Sequence, residues 1–462
     1  MELSSTLLAE YANEIDYDDL PPDVIEMTER LVLDSLGCCI GAYTSEPSKI
    51  LREVYGDRSP APDEAGATVL CDGSTVPVEY AALINGLLVR YLDYNDCYIS
   101  STSVCHPSDH IPPLLAVAEA EGSTGEELIE AIVLAYEIQC RGVDTGVVWN
   151  NGFDYVTWGL YSTAAAAGKL MGLSESELVS AIGVAGTSTN GLLPSRLGEV
   201  SMWKGVAHPY VCHSAIQACQ MARAGLTGPP AVFEGEGGFF DTVAGGPVEI
   251  DELGGRDGAD YRVTRTNIKP FACGYFMQSP ITGVQEIVEE HDIDPETITD
   301  IEIRTFDQAV QVLASPEKWD TEKLNRETAD HSIPYAIAAA IVFGDVSPRE
   351  FAPDCLADER VHELMATVSV EADDELNEFR AENAGSIPST AHVTASGETY
   401  GVRTDYPIGH AERPMSDERL EQKASAQADP YLTRGAIESV FEDCYGLSDL
   451  SDLSALADRT LV

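Results

Sequence analysis

Apolar residues recur at three- and four-residue intervals through most of residues 21–225, the period of helices that bury one face. Pro21-Pro22 precedes one such stretch at 24–40, and Thr124-x-x-Glu127 and Ser174-x-x-Glu177 are capping boxes ahead of 128–138 and 178–185. Small residues dominate 164–168 and 181–186, as expected where helices approach closely. Between 225 and 258 the periodicity fails and Gly228, Pro229, Pro230, Gly235, Gly237 and Gly238 mark a loop or linker. These glycines lack both a preceding strand and the GxGxxG spacing of a dinucleotide site. The pattern then changes to alternation: 261–266, 300–306, 367–371 and 392–396 read as strands with one wet face, among helices near 280–290 and 328–343. Helical periodicity returns over 416–445 and predicts a tail that packs back on the first unit. The fold expected is mainly α: a large all-helical domain, 1–265 completed by 405–462, and a smaller α+β lid domain, 266–404.

A chain of 462 residues favours two cores over one, and 44% hydrophobic residues spread along its length suffice to fill them. Lys plus Arg number 27 against 78 Asp plus Glu, so the net charge is 27 − 78 = −51. Dispersed as they are, these acids repel one another unless salt screens them, and at 1 M salt the Debye length is only about 3 Å. The charge therefore predicts a salt-rich, halophilic cytoplasm, and it argues against nucleic acid and anionic membranes, which need a basic face. Eleven Cys without a CxxC pair read as buried thiols in a reducing compartment. Neither a signal-peptide pattern at the start nor an apolar run of about 18 residues is present, so the expectation is a cytoplasmic protein without membrane contact.

Reactive side chains are densest between 91 and 110. Asp93 and Asp96 are three apart, on one face if the preceding helix continues, with His106 and His110 following. Carboxylates beside a His suit proton transfer, although Asp-x-x-Asp in so acidic a chain equally suits capping and surface charge. His106 and His110 have a helical metal-binding spacing, but Pro107 between them and Pro112-Pro113 beyond disfavour the turn, and no third ligand is implied. Lys204 stands among apolar neighbours and needs an anion, either an internal acid or a substrate carboxylate. The stretch containing Lys269 and Tyr275 reads on spacing alone as a loop.

Together these segments resemble the MmgE/PrpD family of 2-methylcitrate dehydratases, cis-aconitate decarboxylases and relatives. The resemblance is carried by Leu92-Asp93-Tyr94-Asn95-Asp96, His106-Pro107-Ser108-Asp109, Gly168-Lys169-Leu170-Met171-Gly172-Leu173, Gly198-Glu199-Val200-Ser201-Met202-Trp203-Lys204, Lys269-Pro270-Phe271 and residues 327–335, in unbroken order. It implies a helical domain closed by an α+β lid, usually as a homodimer, with the active site in the cleft and neither metal nor organic cofactor. It also implies functional roles for Asp93, His106 and Lys204, with Asp96 and Cys97 adjoining; relatives often carry Thr at Cys97. Many relatives have a His within 152–155 and another within 275–277, and this chain has none between 111 and 207 or between 214 and 290.

The reaction so implied is dehydration of a citrate-like polycarboxylate, most directly 2-methylcitrate, through a carbanion beside a carboxylate. Asp93 or His106 is the expected base, and the other, or Tyr155, the acid. Lys204, then Arg196, Arg90 and Lys269, are expected to hold substrate carboxylates, with Asp96, Cys97 and Tyr275 as further contacts. Decarboxylation or epimerisation from the same carbanion, and a non-catalytic ligand-binding member of the family, are the alternatives.

Overall fold

The computed structural model describes residues 3–62, 64–100, 103–196, 200–250 and 252–462. Its helical layer contains α1 (Pro22–Ala42), α2 (Val78–Arg90), α3 (Gly125–Asp144), α4 (Val156–Leu170), α5 (Glu175–Ser188) and α6 (Trp203–Arg223). Both capping boxes form; the Glu127 N–H reaches Thr124 Oγ1 at 3.3 Å and the Thr124 N–H reaches the Glu127 carboxylate at 2.7 Å. Helix α4 packs between α3 and α6, and α6 also crosses α2. Close approach requires glycine at 142, where a Cβ would stand 2.3 Å from the Trp158 indole.

The lid follows the linker. Helix α7 (Gln278–Glu290) precedes strand β1 (Ile298–Thr305), helix α8 (Ile333–Phe343), strands β2 (Val368–Ala372), β3 (Ser389–Ala395) and β4 (Glu398–Thr404). Sheet order is β2-β1-β3-β4, with β1 and β2 parallel and the other pairs antiparallel. Ile301 lies opposite both Val368 and Val393, so the alternating apolar residues form one buried face, which α7 and α8 cover. Strands β3 and β4 join through Ser396 and Gly397, both left-handed, a turn that follows the twist of a hairpin. Helix α9 (Asp417–Ala428) then returns to α1, where Lys423 pairs with buried Asp34.

The structure departs from the sequence pattern in four places. Residues 261–266 form a 3₁₀ turn rather than a strand, because the Arg262 N–H and guanidinium bond Glu137 at 2.7 Å and Asp144 at 2.9 Å, which docks the segment on α3. The helical layer is not all-helical: it carries small hairpins of Gly66–Thr68 with Thr75–Pro77 and of Tyr98–Ile99 with Val104–Cys105, too short to show a period of two. The helix expected over 328–343 breaks after Ala329 and restarts at Ile333 with Ser332 as its cap. The tail helix expected over 416–445 is likewise two helices, parted at Pro430. All eleven cysteines are buried and free. Among the described residues, no helix is long and apolar enough to cross a membrane.

Candidate active site

Helix α2 stops at Arg90, and Asp93, with φ of 51°, turns the chain sharply in a conformation that Asp tolerates better than most residues. That turn parts the two acids. Asp93 enters a cavity of about 130 Å³ between the helical layer and the lid. Asp96 points the other way, into the helical core, where it accepts from the Ser108 N–H (3.1 Å), Ser108 Oγ (2.6 Å) and the Tyr136 hydroxyl (2.8 Å).

Every cation expected around the cleft is in the cavity wall. Arg90 Nη1 and Lys269 Nζ donate to Asp93 Oδ1 at 2.9 and 2.8 Å, and Lys204 Nζ donates to Oδ2 at 2.9 Å. Lys269 also donates to the Asp93 carbonyl at 2.9 Å. Burial alone would raise the Asp93 pKa, but Lys204, Lys269 and Arg90 hold it well below the usual carboxylate range. Arg196 lines the cavity beside them, fixed by Asp154 at 2.7 Å. Lys204, in the first turn of α6, lies 3.6 Å from Asp330 as well, so the anion it needs is internal even though it faces the cavity. Burial lowers its pKa, opposed by Asp330 and Asp93.

His106 follows the short hairpin and is nearly enclosed. Its Nδ1 lies 2.6 Å from the Asp96 carbonyl oxygen, which can only accept, so Nδ1 carries the hydrogen and Nε2 keeps its lone pair. That Nε2 lies 3.9 Å from Asp93 Oδ1. Burial, then Arg90 and Lys269, push the imidazole well below its ordinary pKa, which keeps it neutral. Tyr155 caps the start of α4 and lines the same wall; its hydroxyl donates to Asp109 at 3.2 Å and accepts from Arg196 Nη2 at 3.3 Å. Burial and Asp109 raise its pKa well above the ordinary value, so it is a neutral phenol.

Asp93, His106, Lys204, Tyr155, Arg90, Arg196, Lys269 and Tyr275 thus share one cavity, whereas Asp96 and Cys97 do not line it. Cys97 is fully buried and its backbone is bridged to Asn267, with N–H to carbonyl distances of 2.8 Å in both directions. Residues 197–199, within the motif ahead of Lys204, lie outside the described residues.

Sequence reasoning missed His331. The break between Ala329 and α8 brings it from the lid into the cavity, with Nδ1 2.5 Å from Asp330 Oδ1, Nε2 3.6 Å from Asp93 Oδ2 and the ring 3.2 Å from Lys204 Nζ. Its ring packs against Gly274, beside the 275–277 segment. The site therefore has a second imidazole, supplied by another part of the chain. The signal was Asp330-His331 within 327–335, one of the segments that carry the resemblance.

Among the described residues, two groups of side chains approach closely enough to consider a metal ion: Asp93, Asp330 and His331, and His110, His208 and Cys212. In the first, the Lys204 ammonium already sits among the three. In the second, His110 uses its ring nitrogens on Thr163 (3.0 Å) and Gln139 (3.3 Å), and it shares no centre with His106.

The MmgE/PrpD N-terminal domain matches residues 6–251 and the MmgE/PrpD C-terminal domain residues 271–447. A cis-aconitate decarboxylase of Aspergillus terreus is 22% identical over 478 residues, covering 98% of this chain and 94% of its own. The 2-methylcitrate dehydratases of Salmonella typhimurium and Escherichia coli are each 24% identical over 410 residues, covering 83% of this chain and 81% of theirs. The two domain matches take in most of the helical layer and of the lid and the cavity residues other than Lys269, which lies between them, and the chain belongs to the MmgE/PrpD family.

Proposed function

We propose that the protein is a cofactor-independent lyase acting on a citrate-like polycarboxylate, of the 2-methylcitrate dehydratase type. The observation that carries this reading is the charge of the cavity: Arg90, Arg196, Lys204 and Lys269 face it, and among the described residues Asp93 is the one carboxylate lining it, in a chain whose net charge is −51. Such a pocket attracts a polyanion locally while the far field repels it, and molar salt removes the far field more than the short contacts.

His106 is the base in this reading. Its Nε2 lone pair faces the cavity, whereas both oxygens of Asp93 are already engaged by cations. Asp93 orients those cations, which hold the substrate carboxylate and the charge that develops beside it. Tyr155, a neutral phenol under two guanidinium neighbours, is the acid that protonates the departing hydroxyl.

A second reading is decarboxylation. Its support is coverage: decarboxylase-named relatives align over 97% and 98% of this chain, against 83% or 84% for the bacterial dehydratases. An epimerase would use the same carbanion, and a non-catalytic ligand-binding protein would use the cations alone.

Purified protein in molar salt, incubated with citrate, 2-methylcitrate and cis-aconitate, separates these readings. Ultraviolet absorbance of an unsaturated acid marks dehydration, carbon dioxide release marks decarboxylation, and proton exchange without net product marks an epimerase. Thermal stabilisation by these acids with no turnover would overturn the lyase reading in favour of a binder. We also propose a homodimer in a salt-rich cytoplasm, with 1–265 and 405–462 forming the helical unit and 266–404 the lid. Exposed Leu192, Trp203 and Tyr210 support the dimer, the Trp203 and Tyr210 rings lying tilted against each other with centroids 5.5 Å apart, and light scattering tests it.

A further inference from the structure

We propose that Asp109 and His208 are positioning residues that hold a proton behind Tyr155 and return it to the phenol after each turnover. The proposal rests on the lyase reading given above and adds to it two residues that never touch the cavity.

The geometry is a line of three groups. The Tyr155 ring lines the cavity, its hydroxyl donates to Asp109 Oδ2 at 3.2 Å, and the same oxygen lies 3.0 Å from His208 Nδ1. Asp109 and His208 are fully buried; His208 Nδ1 meets the carboxylate at ion-pair distance, and neither ring nitrogen completes a hydrogen bond at rest. Bringing the imidazole there requires Gly159 on α4, since a Cβ would stand 2.6 Å from His208 Nε2. A buried carboxylate and imidazole that supported only packing would be an expensive choice over apolar residues of similar shape.

The charged groups facing the pair are few. Arg90 from α2 lies 3.8 Å from Asp109 Oδ2, and Asn95 donates to Oδ1 at 3.0 Å. Arg196, held by Asp154, reaches the Tyr155 hydroxyl, while Cys212 and His110 flank His208. The His106 ring stands on the cavity side of Tyr155, with centroids 5.9 Å apart. Burial would raise Asp109, but His208, Arg90 and Arg196 bring it below its ordinary range; burial would lower His208, but Cys212 and Asp109 raise it to about 10. The resting pair is carboxylate and imidazolium.

In the elimination, His106 Nε2 takes the proton from carbon and the C–O bond breaks with its electron pair going to oxygen. The Tyr155 O–H bond breaks as its proton joins that oxygen, forming water. The phenolate, steadied by Arg196, then takes the proton that leaves His208 Nδ1 and crosses Asp109. His106 loses its proton to water in the cavity, and a proton from that water passes through Tyr155 and Asp109 back to His208, which closes the cycle.

The test pairs kinetics with a substrate-free readout. Tyr155→Phe should lower kcat roughly 10²- to 10⁴-fold with KM little changed. Asp109→Asn and His208→Gln should each lower kcat roughly 10- to 100-fold. Each should also shift the alkaline limb of the pH profile and add nothing to Tyr155→Phe in the double variants. Additive losses or an unmoved pH limb would overturn the relay. Tyrosine labelled with carbon-13 at Cζ gives the second readout: the Tyr155 resonance, assigned by Tyr155→Phe, should move in Asp109→Asn and His208→Gln without any substrate. If it does not move in folded protein, the relay is wrong even if turnover is observed; if it moves and no acid on the panel turns over, the lyase reading fails alone. Should Asp109→Asn not fold, His208→Gln carries both readouts.

Discussion

Replacing Asp93 by Asn removes one charge and almost no volume, which isolates what that carboxylate does. Three cations lie within 2.8–2.9 Å of it, from Arg90, Lys204 and Lys269, and Lys269 is fully buried. Leaving buried cations without their anion costs about 3–5 kcal/mol. For 462 residues, an unfolding entropy of about 2.1 cal/mol/K per residue makes each kcal/mol worth roughly 1 °C, so ligand-free Asp93→Asn should melt about 3–5 °C below wild type. The formal charge of the cavity wall rises meanwhile from 4 − 1 = +3 to +4, counting Arg90, Arg196, Lys204 and Lys269 against Asp93. One extra charge at roughly 6 Å and an effective dielectric of about 20 is worth about 3 kcal/mol per ligand charge before salt screening. Asp93→Asn should therefore bind citrate more tightly, by roughly 10- to 100-fold after screening, while kcat falls because the cations are no longer aligned. Thermal melting with and without citrate, calorimetric titration and steady-state kinetics measure all three. A variant that melts with wild type and binds citrate no better would show that Asp93 does not balance these cations.

Lys204→Met should raise KM for the polycarboxylate roughly 10- to 100-fold, the loss of one charge-assisted hydrogen bond; an unchanged KM would remove Lys204 from the substrate clamp. His106→Gln should lower kcat roughly 10²- to 10⁴-fold, and because only neutral His106 is a base and its pKa is depressed, the acid limb of wild-type kcat/KM should lie below pH 6.5. Stability should fall as pH drops below 6.5: burial and His208 push His110 down to about 3, so the unfolded state takes up a proton that the folded state refuses, at about 1.4 kcal/mol per pH unit down to that value. His208, raised to about 10, is protonated in both states over that window and adds no slope, so His110→Gln should flatten the melting profile between pH 6.5 and 3. Melting midpoints should climb from dilute buffer to molar salt as the net charge of −51 is screened; a midpoint independent of salt would count against the halophilic reading.

The sequence determined a good deal of this protein by itself. Helices α1, α3 and α5, the strands β1, β2 and β3 and the returning tail follow from period and caps, because a helix or strand buried on one face must repeat its apolar residues at its own pitch. Lys204 among apolar neighbours implied an anion in reach, whereas Arg90, Arg196 and Lys269 were singled out only through the family resemblance. Tertiary structure alone decided the rest. Asp93 and Asp96, three apart in sequence, face opposite ways because one left-handed residue ends the helical register between them. His331 meets Asp93 only because the lid folds over the helical layer, and Asp109 meets His208 only because α6 crosses beside α4. Contacts between residues 99 and 238 positions apart leave no period in a sequence, so the second imidazole and the pair behind Tyr155 became visible only in three dimensions.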